Sequence, residues 1–281
     1  MPQIKSHPCF LTPKQIKPEC PLFVFLPGMD GTGQLLRSQT AGLEAGFDIR
    51  CLAIPADDLT SWDVLTDKVV ALIEAEIKQD PKRSVYLCGE SFGGCLAIEV
   101  ALRATKLFER LILVNPASSI SRRPWMYFGI PLTQIVPEYF YQFGSMVGLP
   151  VLAALGRIAP SDRQALMEAV QMVPQKTAVW RLSLLREFNV EDIELNRITQ
   201  PVLIVAGGSD RLLPSVTEAE HLANRLPNAQ TVVLPESGHA CLLEKDVNLY
   251  QIMKDCQFLP SRDKGSRTFS LPKHQPVSSL V

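Results

Sequence analysis

The sequence lacks most of the features that mark specialised protein classes. Its seven cysteines are odd in number, scattered, and never spaced C-x-x-C, which argues against a disulfide framework or a structural zinc site. Neither charge dominates: Lys plus Arg number 28, Asp plus Glu 29, and the net charge is -1. There is therefore no basic field to hold nucleic acid and no acidic tail. No apolar run reaches the roughly 18–20 residues that a membrane span requires. The first residues, "MPQIKSHPCFLTPKQIKPEC", have prolines where a signal peptide needs an apolar core and no arginine for a transit peptide. These absences leave a small-molecule partner, a reducing compartment and a cytoplasmic location as the expectation, with no cofactor and no metal.

What is present is core-forming material. With 281 residues, of which 46% are hydrophobic and 20% charged, one large domain is favoured over two small ones. Short apolar runs alternate with helical patterns, the signature of a parallel sheet wrapped by helices, so the fold class is α/β. The predicted strands are 21–26, 48–54, 84–88, 109–114, 201–206 and 229–234, and the predicted helices are 62–79, 91–105, 215–226 and 245–256. Residues 1–20 read as an N-terminal extension, 21–258 as the domain, and the polar, proline-bearing stretch 259–281 as a disordered tail.

The alternation breaks after Asn115, where about 80 residues precede the next strand, too many for one crossover helix. An insertion over about 117–195 is expected. From Pro124 to Gly156 the only charged residue is Glu138, and seven of the chain's 20 aromatics fall there. Pro131, Pro137 and Pro150 interrupt the segment, which predicts a broken helical lid. Three readings stay open for it: a subdomain with its own small core, a lid lining an apolar pocket, and a peripheral membrane contact.

Chemistry enters at "YLCGESFGGC", residues 86–95. Gly89-Glu90-Ser91-Phe92-Gly93 satisfies G-x-S-x-G between a predicted strand and a predicted helix, the context in which the pattern forms a nucleophile elbow. The sharp turn requires small residues at Gly89 and Gly93. Ser91 is then placed at the C-terminal edge of the sheet, where open parallel sheets bind ligands and a helix N-terminus favours negative charge.

A serine nucleophile needs a base, and there are four histidines. His7 lies in the proline-rich start, His274 in the polar tail and His221 in an amphipathic helix pattern, leaving His239 in "LPESGHACLLE". Asp210, in "VLIVAGGSDRLLP", follows a strand and is the candidate acid, with Glu236 and Glu244 as fallbacks. Asn115, where some folds of this type place the acid, is neutral. The backbone N–H groups of Phe92 and Met29 are the candidate oxyanion donors, Met29 lying in the "FLPGMDGTG" loop. That loop is not spaced G-x-G-x-x-G and no Gly-Lys-Ser/Thr follows, which argues against nucleotide binding.

The motifs "PLFVFLPGMDGTG", "CLAIP", "VYLCGESFGGCLAIEVALR" and "LILVNPASS" resemble the hydrolase part of the plant and cyanobacterial esterase/lipase/thioesterase family that includes phytyl ester synthases. The resemblance to α/β-hydrolases covers residues 20–258. It implies ester or thioester cleavage, or acyl transfer to a long-chain alcohol, on long apolar acyl or prenyl chains. The plant proteins resemble a hydrolase followed by an acyltransferase-like region, a segment not found in this sequence. Hydrolysis is therefore the first expectation and acyl transfer the alternative, with a binding protein for an apolar ligand on the same scaffold as a further alternative. The short N-terminus leaves little room for an opening hairpin, so six or seven strands are expected.

Overall fold

The computed structural model describes residues 7–122 and 148–259. Seven strands form one sheet: β1 Cys9–Leu11, β2 Leu22–Leu26, β3 Asp48–Ala53, β4 Val85–Glu90, β5 Arg110–Val114, β6 Val202–Gly207 and β7 Ala229–Leu234, in the order β1-β3-β2-β4-β5-β6-β7. Among the described strands only β1 is antiparallel, pairing Cys9 with Ala53 and Leu11 with Cys51. The helices are α1 Thr40–Leu43, α2 Trp62–Ile77, α3 Phe92–Arg103, α4 Leu149–Leu152, α5 Pro160–Gln171, α6 Gln175–Glu187, α7 Ser215–Ala223 and α8 Leu249–Asp255.

The sequence dictates this layering directly. Strands covered on both faces read as continuous apolar runs rather than alternating ones, and every residue of "LFVFL" in β2 is buried. Alternate side chains still point to opposite faces. Leu22, Val24 and Leu26 join Leu65, Val69 and Ile73 of α2 and Leu96 and Val100 of α3 on one side. Phe23 and Phe25 join Phe47, Leu249, Met253 and Phe258 on the other.

Two sequence expectations need correction. The predicted strands begin at residue 21, yet Cys9–Leu11 adds an edge strand to β3, the seventh of the six or seven expected. The last helix starts at Leu249 rather than 245, because Asn248 caps it by accepting from the Gln251 N–H at 3.0 Å. Residues 241–243 instead form a 3-10 turn.

The insertion leaves the sheet after β5 and returns at β6. Its most aromatic part, and the tail from residue 260, lie outside the described residues. Residues 148–197 carry α4, α5 and α6, and Ala153, Ile158, Leu166 and Ala169 pack with Leu35 and Leu243 into a small separate core. Helix α6 is docked on the body by two indole donors: Trp62 Nε1 to the Leu184 carbonyl and Trp180 Nε1 to the Thr60 carbonyl, both 2.9 Å. Among the described residues no helix is long and apolar enough to cross a membrane.

A buried ion network fixes the opposite end of the sheet. Asp48 accepts from Arg50 Nη1 at 2.6 Å and from Arg83 Nη2 at 2.7 Å. Arg83 also donates to the carbonyls of Cys20 and Lys17, and Arg50 to Glu76. Burial alone pushes the Asp48 carboxyl up, but the two guanidinium partners outweigh it and hold the group below its ordinary range. This contribution to stability is present above the unfolded carboxylate range and is lost as pH falls. Asp48→Ala leaves two guanidinium groups without their shared carboxylate and should lower stability by about 3–5 kcal/mol. Urea unfolding should show a lower midpoint at an unchanged slope.

Candidate active site

Strand β4 ends at Glu90 and α3 begins at Phe92, so the chain reverses at Ser91 alone. Ser91 has φ 54° and ψ -115°, a left-handed conformation that a non-glycine residue adopts only when its surroundings enforce it. They do so here. The Ser91 N–H donates to the Val114 carbonyl at 3.0 Å, and the Ser91 carbonyl accepts from Gly94 at 2.9 Å and Ala117 at 3.1 Å. A Cβ on Gly89 would stand 2.1 Å from the Gly93 carbonyl oxygen, and one on Gly93 would stand 2.1 Å from that of Leu26. Both glycines are therefore steric requirements of the elbow.

The other sequence candidates converge on this turn. His239, 3% exposed, reaches back from the loop after β7, and its Nε2 lies 2.8 Å from Ser91 Oγ. Its Nδ1 lies 2.7 Å from Asp210 Oδ2. Asp210 follows β6, and its other oxygen accepts the N–H groups of Leu212 at 2.8 Å and Leu213 at 3.0 Å. Burial pushes its carboxyl up, but the bonds from His239 and Ser215 prevail and hold it below the ordinary range. Asp210 thus stays an anion that can orient the imidazole and balance an imidazolium.

The loop after β2 runs beside the elbow, since a Cβ on Gly28 would lie 3.7 Å from Ser91 Cβ. Neither the Met29 nor the Phe92 N–H donates to a partner among the described residues. The fallback acids lie elsewhere: Glu236 pairs with Arg157 at 2.7 Å, and Glu244 accepts from Ser237 Oγ, the Gly238 N–H and Arg157 Nε. Among the described residues no group of three or more His, Cys, Asp or Glu side chains is arranged to hold a metal ion.

The family described as serine aminopeptidase, S33, matches residues 56–246. The chain belongs to this family of α/β-hydrolase enzymes. It is 34% identical over 259 residues to phytyl ester synthase 1, chloroplastic, of Arabidopsis thaliana, covering 84% of this chain and 37% of that one. It is 29% identical to phytyl ester synthase 2, chloroplastic, of the same plant, covering 83% and 37%. The chain thus spans just over a third of the length of these relatives. The esterase EaEST from Exiguobacterium antarcticum shares the fold, with a TM-score of 0.70 at 18% identity, covering 89% of this chain and 94% of that one.

Three residues around the candidate site have no role that the sequence alone indicated. Asn115, dismissed as a neutral residue where an acid could stand, is a tie between loops. Its Oδ1 accepts the Gly207 N–H at 2.7 Å and its Nδ2 donates to the His239 carbonyl at 2.7 Å, so one amide sets the spacing between the Asp210 and His239 loops. Its positive φ of 42° is a conformation asparagine tolerates better than most residues. Arg181 on α6 touches the loop that holds Met29. Glu90 is 8% exposed beside Ser91, and burial, aided by the Asp30 charge, pushes its carboxyl up to about 8. Cys88 and Cys95 fit the reading as small core residues: both are fully buried, and burial raises their thiols well above the ordinary range.

The raised Glu90 group carries a sign that can be checked. In the fold it keeps its proton to about pH 8, whereas an unfolded glutamate loses it near pH 4.3. Stability is therefore lost progressively as pH rises between those limits. Glu90→Gln removes this liability, so its thermal midpoint at pH 7.5 should exceed that of the unmodified protein and fall less between pH 5 and 8. Parallel pH profiles for the two proteins would contradict this assignment.

Proposed function

We propose that this hydrolase cleaves a carboxylic ester or thioester of a long apolar acyl or prenyl chain, with Ser91 as nucleophile, His239 as general base and Asp210 as its orienting acid. The observation that carries the reading is the pair of contacts running from Ser91 Oγ through the imidazole to Asp210, 2.8 and 2.7 Å. His239 Nε2 takes the Ser91 proton as Oγ attacks the carbonyl carbon. The oxyanion that forms accepts from the N–H groups of Met29 and Phe92. Collapse of the tetrahedral intermediate expels the alcohol or thiol, protonated by His239, and leaves an acyl-enzyme. Water then attacks the acyl carbon as His239 takes its proton, and the second tetrahedral intermediate collapses to the free acid as His239 returns that proton to the departing Ser91 Oγ.

The apolar substrate class is supported by composition. The segment 124–156 holds seven aromatics and a single charge, and apolar side chains are the usual lining of sites for long-chain ligands. A second reading, transfer of the acyl group to a long-chain alcohol, is favoured by the 34% identity to a phytyl ester synthase. The two readings share every step up to the acyl-enzyme and differ only in which hydroxyl resolves it, which depends on how well the site excludes water.

Ser91→Ala should lower turnover of a p-nitrophenyl acyl ester by at least about 10⁴-fold while circular dichroism stays unchanged. Asp210→Asn should lower kcat by about 10⁴-fold through the wrong imidazole tautomer. Turnover by Ser91→Ala at the unmodified rate would end the proposal. Supplying a long-chain alcohol and following both products by chromatography separates the readings: a new ester indicates transfer, free acid alone indicates hydrolysis.

A further inference from the structure

Arg181 has no part in the chemistry described so far, yet it is 2% exposed on α6, a helix of the insertion. Its Nη1 donates to the Met29 carbonyl at 2.5 Å and its Nη2 to the Pro55 carbonyl at 3.2 Å. A desolvated guanidinium is an expensive way to attach a helix. Docking of α6 also has other supports, because Trp62 and Trp180 each make a bond across the same contact and Leu184 and Leu185 of the helix are buried. The placement of Arg181 asks for another explanation.

The explanation lies in the peptide groups on either side of Met29. The peptide that carries the Met29 N–H is fixed through its own carbonyl, that of Gly28, which accepts the Gly31 N–H at 3.0 Å. The following peptide is fixed through the Met29 carbonyl by Arg181. Gly31 makes room for this: it has φ +68°, and a Cβ there would stand 2.7 Å from Arg181 Nη1. The Gly31 carbonyl in turn accepts the Ile54 N–H at 2.7 Å, anchoring the loop to the end of β3. Asp30 lies between, bound to the Thr32 N–H at 2.8 Å; burial raises its carboxyl above the ordinary range, opposed first by the bonds from Thr32 and then by the Arg181 charge.

We propose that Arg181 is a positioning residue: from the helical insertion it locks the backbone around Met29 so that the Met29 N–H meets the oxyanion formed at Ser91. The inference rests on the reading of Ser91 as nucleophile and Met29 as oxyanion donor. It makes the anion hole a joint product of the sheet and the insertion. Oxyanion donors must be held close to their working geometry before the reaction starts, and a displacement of about 1 Å costs about 10²-fold.

The test compares Arg181→Met and Arg181→Lys with the unmodified protein, measuring kcat and KM on a p-nitrophenyl acyl ester and the affinity for an alkyl trifluoromethyl ketone. The ketone adds to a serine Oγ and places an oxyanion where the ester's would form. In Arg181→Met, kcat should fall about 10- to 100-fold with KM within about twofold, and ketone affinity should fall by a similar factor. Arg181→Lys, which can reach only one of the two carbonyls, should recover part of both losses. Should the methionine variant not fold, the lysine variant decides, because a loss shared by kcat and ketone affinity is still expected there. An unchanged kcat, a loss confined to KM, or a loss of kcat at full ketone affinity overturns the inference. If the unmodified protein forms no Ser91 adduct with the ketone, the functional reading fails and takes the inference with it. A normal adduct in all three proteins overturns the inference alone.

Discussion

The site depends on a backbone constraint at Ser91. A strand and a helix meet with no intervening loop, and the residue between them is held at a positive φ that serine does not choose for itself. That conformation sets Ser91 Oγ 2.8 Å from His239 Nε2, with Phe92 opening α3 directly after it. It is enforced by close packing of glycines against the backbone of β2 and α3. The elbow consequently cannot be loosened without moving the core on which β4 lies, so a serine held at positive φ is supported by a fully buried strand.

Around this fixed point the fold sets two further strand ends at matching height. Strands β5 and β6 pair in register from Leu111 with Val202 to Val114 with Val205, and β6 pairs with β7 up to Gly207 with Leu234. The loops carrying Asp210 and His239 therefore leave the sheet side by side. Asn115 bridges them through Gly207 and the His239 carbonyl, and Glu244 braces the His239 loop from below through Ser237 and Gly238. None of these supports bonds to the Ser91 hydroxyl or to the imidazole nitrogens, yet together they bring three residues far apart in the chain within hydrogen-bonding reach.

The sheet, the elbow and the pairing of Ser91, Asp210 and His239 were legible in the sequence because each leaves a local mark: apolar runs that stop at Gly, Pro or Asp, a G-x-S-x-G in strand-to-helix context, and a single histidine left by elimination. What was not legible arises from tertiary contact. Strand β1 is three residues among prolines and exists only because β3 offers it an edge. Arg181, in "AVWRLSLLR", reads as one of several basic residues on a helix and becomes a buried group only once α6 docks. Asn115 could be excluded as an acid from its identity, but nothing in the sequence indicated which carbonyl and amide it would join. The fallback acids show the same limit from the other side: Glu244 is close in sequence to His239 and buried, yet its carboxylate serves the loop backbone rather than the imidazole.

The central claim is that Ser91 takes up an acyl group, and the most direct measurement is peptide mass spectrometry after brief incubation of the intact protein with a lipid extract and acid quenching. The account predicts an added acyl mass on the peptide containing Ser91, absent in Ser91→Ala, and the size of that mass reports the length of the chain. No adduct on that peptide while free acid is still released, or an adduct on Cys88 or Cys95 instead, would contradict it.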